Sequence, residues 1–280
     1  MSQFRISGDQ DGIAIDRDRA GWDRVSFHVR RLAAGGSESF RAEGEEIAII
    51  PLSGTATVRS GGEEWTFGGR ESVFSAPGEA LYLPRDSAYE VSSEGPLEYA
   101  VCGARCDESH PARLVTRGDY EAVARGAGSA SRAVATLIPP EFEADRLLVV
   151  EVWTPAGNWS SYPPHKHDES VPPGEVPLEE TYYYRLDPPD GFASQRIYSP
   201  ERGVDESFIV TDGDVSAIPW GYHTTVAAPG YDLYYLNVLA GDARILAAAE
   251  DPDHAWTRDQ WAEQEIDPRA TATVERMNRA

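Results

Sequence analysis

The chain has 280 residues, of which 25 are glycine and 20 proline, and its 47 acidic and 25 basic side chains give a net charge of −22. A chain of this length can bury a real core, in one large domain or two modest ones. Its negative charge disfavours nucleic acid and anionic membranes, and we expect neither as a partner. The sequence shows no long apolar run and no apolar N-terminal segment, which predicts no membrane span, no signal peptide and a cytoplasmic protein.

Short alternating or apolar runs, broken by Gly, Pro, Asp and Ser, follow one another through the first half. Repeated runs of this kind are typical of a β-sandwich or β-barrel. Beyond them we predict a short helix near Gly118–Ala124 and a polar linker at Arg125–Arg132. The predicted strands lie near Arg24–Leu32, Glu46–Ile50, Ala56–Arg59, Glu64–Phe67, Ala80–Leu83 and Leu97–Val101.

The second half repeats this β pattern and ends in a predicted helix near Asp253–Gln264. Its predicted strands lie near Leu147–Thr154, Glu180–Leu186, Phe192–Tyr198, Ser207–Val210, Val215–Ile218, Thr224–Ala227 and Leu233–Leu239.

A weak internal repeat relates the two halves. Gly78–Pro84 and Gly213–Pro219 share the spacing Gly-x5-Pro at corresponding places between two strands. The repeat favours a duplicated β-barrel. With the linker, it predicts one domain at residues 1–130 and a second at 131–280 that ends in a helical tail.

The residues with the clearest chemistry are His165 and His167, separated by Lys166. On a strand, residues two apart point to the same face, so both imidazoles can reach one cation. A His-x-His pair alone is also compatible with two surface histidines. Glu180 and His223 each lie at a predicted strand start and add two candidate ligands. Together the four residues favour a site for one divalent ion, namely Zn, Mn, Fe or Ni.

Four segments carry a resemblance to a known family. The order His-x-His, then Glu, then Gly-x5-Pro-x-Gly followed by His resembles the cupin superfamily. More narrowly, the segments resemble the 5-deoxy-glucuronate isomerases of myo-inositol catabolism, which are related to the 4-deoxy-L-threo-5-hexosulose-uronate isomerases. The close match covers about Leu147 to Gly241. The segments are SSYPPHKHD at 160–168, EETYYYR at 179–185, GFASQRIY at 191–198 and PWGYHTTVAAPGYDLYYLNVLAG at 219–241.

The resemblance implies an all-β bicupin fold, with two double-stranded β-helix (jelly-roll) barrels. It assigns His165, His167, Glu180 and His223 as the metal ligands, with Glu179 as the alternative carboxylate. The first half has no His-x-His, and Ala88 and Tyr89 stand where a histidine would fall. We therefore predict that the first barrel has lost its metal and that only the second binds one.

The reaction implied is the aldose–ketose isomerisation of 5-deoxy-glucuronate to 5-dehydro-2-deoxy-gluconate through a metal-stabilised enediolate. A general base must move a proton from one carbon to the next. The sequence leaves that residue open, and the candidates are Tyr182, Tyr184, Tyr222 and Glu179; the alternative role of each tyrosine is barrel packing.

The substrate of this reaction is a small sugar acid, whose carboxylate requires a cationic partner. Arginine binds a carboxylate through two parallel hydrogen bonds. Arg196 is the first candidate, with Gln195 beside it, and Arg185 is the second. If this segment is a regular strand, only one of Gln195 and Arg196 faces the barrel interior.

Three other functions stay open on the sequence alone. They are a cupin isomerase of a different uronate, an Fe(II) cupin dioxygenase, and a sugar-binding or regulatory cupin without turnover. The same ligand set serves both reaction classes, because a fold does not determine a function. Cupins often associate, so we also expect a homo-oligomer.

Overall fold

The computed structural model describes residues 2–6, 14–15 and 17–280. Within these ranges the chain is built almost wholly from β-strands in three sheets. The first-half strands are β1 Arg5–Ile6, β2 Ala14–Ile15, β3 Val25–Leu32, β4 Ser37–Arg41, β5 Glu45–Ser60, β6 Glu63–Arg70, β7 Ala80–Leu83, β8 Ala88–Ser92, β9 Leu97–Arg105, β10 Arg113–Val115 and β11 Val123–Arg125. The second-half strands are β12 Arg132–Ile138, β13 Leu147–Thr154, β14 Trp159–Lys166, β15 Glu179–Asp187, β16 Ala193–Ser199, β17 Val204–Val210, β18 Val215–Ile218, β19 Tyr222–Ala227, β20 Asp232–Ala240 and β21 Ala249–Glu250.

Helices are few and short in the described ranges. They are α1 Arg17–Ala20, α2 Pro252–Ala255, α3 Pro268–Arg279 and two 3-10 helices, Pro200–Arg202 and Trp256–Glu263. Helix α3 begins where the Asp267 carboxylate accepts the Arg269 N–H, with Pro268 in the first turn. These are common features of a helix N-terminus.

The N-terminal barrel is formed by β2–β10, which make one continuous sheet folded on itself. Strand β5 passes through both of its layers, pairing first with β7 and β9 and then with β6 and β8. The change of layer falls near Gly54, whose φ is +86° and where a Cβ would lie 2.3 Å from the carbonyl oxygen of Pro96. Glycine alone tolerates this close approach at a positive φ.

The C-terminal barrel consists of two facing sheets. Its inner sheet has the order β1-β18-β15-β20-β13-β12-β11, and its outer sheet has the order β17-β16-β19-β14-β21. Apolar side chains of both sheets meet between them, such as Tyr184 and Leu239 from the inner sheet and Ile197 from the outer sheet. The first strand, β1, pairs with β18 and so belongs to this barrel although it lies at the start of the chain.

The two barrels pack face to face through the inner sheet. A large buried cluster combines first-half residues such as Phe27 and Tyr82 with second-half residues such as Leu147, Tyr183 and Leu236. Burial of this much apolar surface is the main force that holds the halves together.

Two carboxylates fasten each barrel to the other in a reciprocal way. Glu46 at the start of β5 accepts the backbone N–H groups of residues 145–147 at 2.6–2.9 Å, and also the Tyr82 hydroxyl at 2.6 Å. Glu179 at the start of β15 accepts the N–H groups of residues 23–25 at 2.7–2.9 Å. Glu46 in the first barrel therefore corresponds to Glu179 in the second.

The structure confirms the all-β prediction, and Leu147–Thr154 and Val215–Ile218 have the predicted bounds. The helix predicted near Gly118–Ala124 is wrong. The Asp119 carboxylate accepts hydrogen bonds from the N–H and hydroxyl of Thr116 and closes a turn, and an extended strand follows. The tail helix predicted near Asp253–Gln264 is present, mostly as 3-10 helix.

The predicted linker Arg125–Arg132 is the turn of a hairpin, because β11 and β12 pair within the inner sheet. The domain boundary at residue 130 falls inside this hairpin and stays a prediction. No helix in the described ranges has the length and apolar character needed to cross a membrane.

Candidate metal centre

The side chains of the predicted metal site come together from three strands of the C-terminal barrel. His165 lies opposite His223 in the pairing of β14 with β19, and Glu180 lies near the start of β15. The pairing of β14 shifts register between Ser160 and His165. Such irregularities often redirect side chains next to active sites.

Three of these residues form a compact buried group. The potential ligand atoms of His167, Glu180 and His223 all lie within 4.8 Å of one another. The Nε2 atoms of His167 and His223 lie 2.8 and 3.0 Å from the same carboxylate oxygen, Oε2 of Glu180. His165 is outside this tight group, but its ring centroid lies 4.6 Å from that of His223.

Hydrogen bonds orient two of the imidazoles for ligation through Nε2. Nδ1 of His223 lies 3.1 Å from the Gly221 carbonyl oxygen, and Nδ1 of His165 lies 3.3 Å from that of Pro163. An Nδ1–H donated to a carbonyl leaves Nε2 as an unprotonated lone pair. Burial and the neighbouring His223 lower the pKa of His165 to about 3, which also keeps this ring neutral.

The electrostatics of the group keep Glu180 ionised. Burial raises the pKa of Glu180, but His223 and His167 outweigh it and hold the pKa well below its ordinary value, so the carboxylate is ionised. Burial lowers the pKa of His167, yet its hydrogen bond to Glu180 raises it above the ordinary value.

The donor set fits a divalent metal ion. Three imidazoles and one carboxylate are suitable ligands for transition metals. Nε2 of His223 lies 3.0 Å from Oε2 of Glu180 but is not aligned for a hydrogen bond, so this buried nitrogen has no hydrogen-bond partner among the described residues. A buried polar atom left in this way is unfavourable, and a bound cation would satisfy it.

A cavity of about 180 Å³ opens onto this group. Its wall includes His165, His167 and Glu180, while His223 is completely buried behind them. The rest of the wall combines polar and apolar side chains. The polar ones are Arg125, Arg132, Ser161, Tyr182, Tyr235 and Asn237, and the apolar ones include Val134, Val150, Val152, Leu178 and Leu239.

Tyr182 is the one of the three candidate tyrosines that lines this cavity. Its hydroxyl lies 2.8 Å from the Oγ atom of Ser161, which in turn lies 3.3 Å from the Tyr235 hydroxyl. The ring of Tyr182 stacks on that of Tyr235 at 4.4 Å. Ser161 has a φ of +52°, which is rare for a residue with a side chain and is often found at functional sites.

Tyr184 and Tyr222 lie elsewhere. Tyr184 shares the inward face of β15, but its hydroxyl donates to the Gln195 side chain, and neither residue lines the cavity. Tyr222 points to the opposite side of β19 from His223 and packs beside Tyr198. Gln195 is the inward-facing member of the Gln195–Arg196 pair, because it is completely buried.

The two arginines proposed from the sequence are engaged outside the cavity. Arg196 binds both carboxylate oxygens of Asp205 at 2.8–2.9 Å on the outer face of β16. Arg185 forms ion pairs with Glu98 and Asp212 near the contact between the barrels. Their roles as substrate-binding residues stay predictions, and the cavity lining gives them no support.

Several cavity residues were missed by reasoning from the sequence. Arg125 and Arg132 bound the segment interpreted as a linker, and Asn237 lies within a strand with otherwise apolar neighbours. Asn237 itself was a usable signal, because a polar residue inside an apolar strand needs a partner. Its Oδ1 atom is buried and without a hydrogen-bond partner in the described part of the chain.

The choice between the adjacent carboxylates Glu179 and Glu180 is clear from the geometry. Glu179 points to the other face of β15, where both of its oxygens accept backbone N–H groups from the first barrel. Glu180 points into the C-terminal barrel and contacts two histidines. The segment between His167 and Glu180 is fastened by Glu175, which accepts the N–H groups of residues 168 and 169.

The fold and this cluster define a bicupin whose second barrel holds a group of side chains suited to a metal ion. Comparisons with known proteins agree. The chain belongs to the KduI/IolB family, which it matches over residues 3–257, and the resemblance stated from the sequence is confirmed. It is 42% identical to a 5-deoxy-glucuronate isomerase of Geobacillus thermodenitrificans (strain NG80-2), covering 91% of this chain and 96% of the relative. It is 41% identical to the protein of the same name from Bacillus subtilis (strain 168), covering 83% and 87%.

Solved structures show the same architecture. An IolB-like protein from Salmonella typhimurium LT2 superposes with a TM-score of 0.88 at 38% identity, covering 91% of this chain and 99% of the other. A mutant of Bacillus subtilis oxalate decarboxylase superposes with a TM-score of 0.64 at 12% identity, covering 89% and 80%. The second likeness concerns the fold alone, and it confirms the predicted bicupin.

Proposed function

We propose that this protein is a 5-deoxy-glucuronate isomerase, which converts the aldose to 5-dehydro-2-deoxy-gluconate in inositol catabolism. One observation carries the proposal. A buried His/Glu cluster opens onto a cavity with both polar and apolar walls, in a chain that spans nearly the whole length of relatives bearing that name. The reaction needs no hydride cofactor, because a proton is removed beside a carbonyl and returned to the neighbouring carbon.

His165, His167, Glu180 and His223 would hold one divalent ion, Zn, Mn, Fe or Ni. When bound, the ion supplies a Lewis acid that stabilises negative charge on the oxygens of the substrate. The protein supplies the rest. Its apolar wall residues, including Val150 and Leu178, lower the polarity around the cluster, which strengthens the charged interactions beside them.

Tyr182 is the proton-transfer residue of this proposal. Burial and the nearby Glu180 raise the pKa of Tyr182 well above its ordinary value, so its hydroxyl stays protonated and acts as the general acid that gives a proton to a substrate oxygen, while a separate base takes the carbon-bound proton. The contact with Ser161 gives that proton a short path, and Tyr235 extends the same chain of hydroxyls. Asn237, with its buried and unpartnered Oδ1, would accept a substrate hydroxyl.

Turnover of 5-deoxy-glucuronate by purified protein, followed by NMR with and without a chelator, tests the proposal. We expect metal-dependent formation of the 5-keto product. We also expect Tyr182→Phe to lower kcat by about a hundred-fold while metal content is unchanged, the usual range for a general acid–base group. Tyr222→Phe is the matched control, because this tyrosine faces away from the cluster, and it should retain activity.

Two alternatives have their own outcomes in the same assay. Metal binding without turnover of this substrate, together with turnover of another uronate, would indicate a different sugar. Oxygen consumption by the iron-loaded protein would indicate a dioxygenase. Gel filtration would test the predicted homo-oligomer.

A further inference from the structure

Two arginines face each other at the cavity wall. Arg125 ends β11 and Arg132 begins β12, and the strand pairing places them directly opposite one another. Both line the same cavity as His167 and Glu180. Arg132 is half-buried and Arg125 is exposed at the surface. The cavity therefore has a paired positive charge as well as the His/Glu cluster.

This arrangement is electrostatically unfavourable without an anion. Like charges directly opposite each other across two strands repel. Some buried or partly buried arginines in the described part of the chain have carboxylate partners, as Arg70 has in Glu151 and Arg196 has in Asp205, and others, such as Arg244, donate to several backbone carbonyls. Within the same described ranges, neither Arg125 nor Arg132 forms an ion pair with a carboxylate. The hydrogen bond found for Arg132 runs from Nη1 to the Ala130 carbonyl oxygen at 3.1 Å.

The turn between the two arginines holds them in place. Gly126 has a φ of +85°, and a Cβ at this position would lie 2.0 Å from the Ala130 carbonyl oxygen and 2.9 Å from Nη1 of Arg132. Glycine is therefore required for the turn to pass so close to the guanidinium group. The geometry is that of a built hairpin and not of a flexible linker.

The carboxylate that lines the cavity does not pair with the two arginines, so their guanidinium groups are available to a ligand. Glu180, the one carboxylate among the residues found to line the cavity, is already engaged by two imidazoles. The chain carries a net charge of −22, yet this cavity wall places two arginines directly opposite each other. Guanidinium groups bind carboxylates through two parallel hydrogen bonds.

We propose that Arg125 and Arg132 bind the carboxylate of the sugar acid while its carbonyl end lies at the His/Glu cluster. The inference rests on the proposed function and adds the residues that select an acid over a neutral sugar. Arg132 provides the main contact because it is partly withdrawn from water, and Arg125 assists from the mouth of the cavity.

The first experiment compares two substrates with metal-loaded enzyme. They are 5-deoxy-glucuronate and 5-deoxy-glucose, in which a hydroxymethyl group replaces the carboxylate. We expect Arg132→Gln to lower kcat/KM for the acid by about ten- to a hundred-fold, mainly through KM. Turnover of the neutral sugar should change by less than about three-fold, the scatter of an unrelated substitution. Arg132→Lys keeps the charge but loses the two-pronged geometry, and its effect should be intermediate.

The second experiment measures binding without catalysis. Gluconate, a sugar acid that has no carbonyl to isomerise, is titrated into the metal-loaded protein by calorimetry, with sorbitol as its neutral counterpart. We expect Arg132→Gln to weaken gluconate binding by about ten-fold, as loss of a charged hydrogen bond would. Arg105→Gln, an exposed arginine at the end of β9 in the other barrel, is the matched control and should bind normally.

The two experiments separate this inference from the proposed function. If the wild type isomerises the acid and Arg132→Gln has an unchanged KM, the arginine site is refuted and the isomerase stands. If the wild type leaves 5-deoxy-glucuronate untouched but binds gluconate through Arg132, the arginine site stands and the function fails. Should Arg132→Gln fail to fold, Arg125→Gln at the exposed position carries the same test with a smaller effect.

Discussion

The two barrels share one fold, and they differ in what fills them. The N-terminal barrel is packed with apolar side chains such as Ile47, Val58 and Tyr99. The C-terminal barrel has comparable apolar packing, but one end holds the His/Glu cluster and its cavity. The first barrel is filled by its own side chains and contributes stability. The second barrel is partly open at one end, so a ligand can enter its cavity.

Strand register shows which residues make this difference. Glu46 corresponds to Glu179, so Ile47 stands where the second barrel has Glu180. The pairings agree, because Ile47 lies opposite Leu83 and Glu180 lies opposite Ile218.

The histidine positions follow from the same register. Leu83 and Ile218 are each followed by a proline. The fourth residue after this proline is Ala88 in the first barrel and His223 in the second. Ala88 pairs with Arg41, as His223 pairs with His165. A few substitutions at fixed register thus separate the two interiors, and the loss of metal binding in the first barrel stays a prediction.

The largest effect is expected from Glu180→Gln. The change removes the anion that two histidines contact, so we expect loss of the bound metal and a fall in kcat of about a thousand-fold or more. Metal analysis of the purified protein and the NMR assay measure both. Glu179→Gln is the neighbouring control and should keep its metal, and a metal-free but fully active Glu180→Gln protein would refute the assignment of the site.

The reverse substitution, Ile47→Glu, examines the first barrel. Ile47 is buried among apolar side chains, so a carboxylate there has no charged partner and is expected to destabilise the barrel by about 3–5 kcal/mol. Burial would raise the pKa of the new carboxyl in the folded state above its unfolded value, so the loss of stability should shrink as the pH is lowered from 7 towards 5.

Urea unfolding across that pH range measures this effect, with Ile47→Leu as a control expected to differ from wild type by less than about 1.5 kcal/mol. An Ile47→Glu protein as stable as wild type would mean that the first barrel accommodates charge. The difference between the two interiors would then need another explanation.

The sequence predicted which side chains meet in the His/Glu cluster, because its evidence is local, and their role as metal ligands stays a prediction. His165 and His167 share a face by strand alternation alone, and the resemblance supplied Glu180 and His223. The arginine pair was missed because RGAGSASR is rich in small residues, and the pairing of β11 with β12 is seen only in the folded sheet. Strand alternation predicts that only one of Gln195 and Arg196 faces the barrel interior, but not which one. Only the tertiary packing shows which face of the strand is inside.

Glu46 and Glu179, the two carboxylates that each bind backbone N–H groups of the opposite barrel, test how the barrels are joined. The expected effect on stability is smaller than that of Ile47→Glu. Glu46→Gln and Glu179→Gln each replace an acceptor oxygen by an amide donor that faces backbone N–H groups. We expect losses of about 2–3 kcal/mol at Glu46, which is completely buried, and about 1–2 kcal/mol at the half-buried Glu179.

Urea unfolding compares the two variants with Glu63→Gln, whose side chain is exposed and which should be neutral. Equal and negligible losses for both would show that the apolar interface alone joins the barrels.

The smallest effect is expected from Arg196→Gln, on the outer face of the C-terminal barrel. Arg196 is the residue that the sequence placed first for the substrate carboxylate, but its guanidinium already binds Asp205 and its side chain is 38% exposed. An exposed ion pair contributes about 0–1 kcal/mol, so stability and kcat/KM should both stay close to wild type. Steady-state kinetics on 5-deoxy-glucuronate, run beside Arg132→Gln, make the comparison direct. A hundred-fold loss at Arg196 with normal activity at Arg132 would reverse the assignment, because the substrate would then enter from the outside of the barrel and not through the cavity at the cluster.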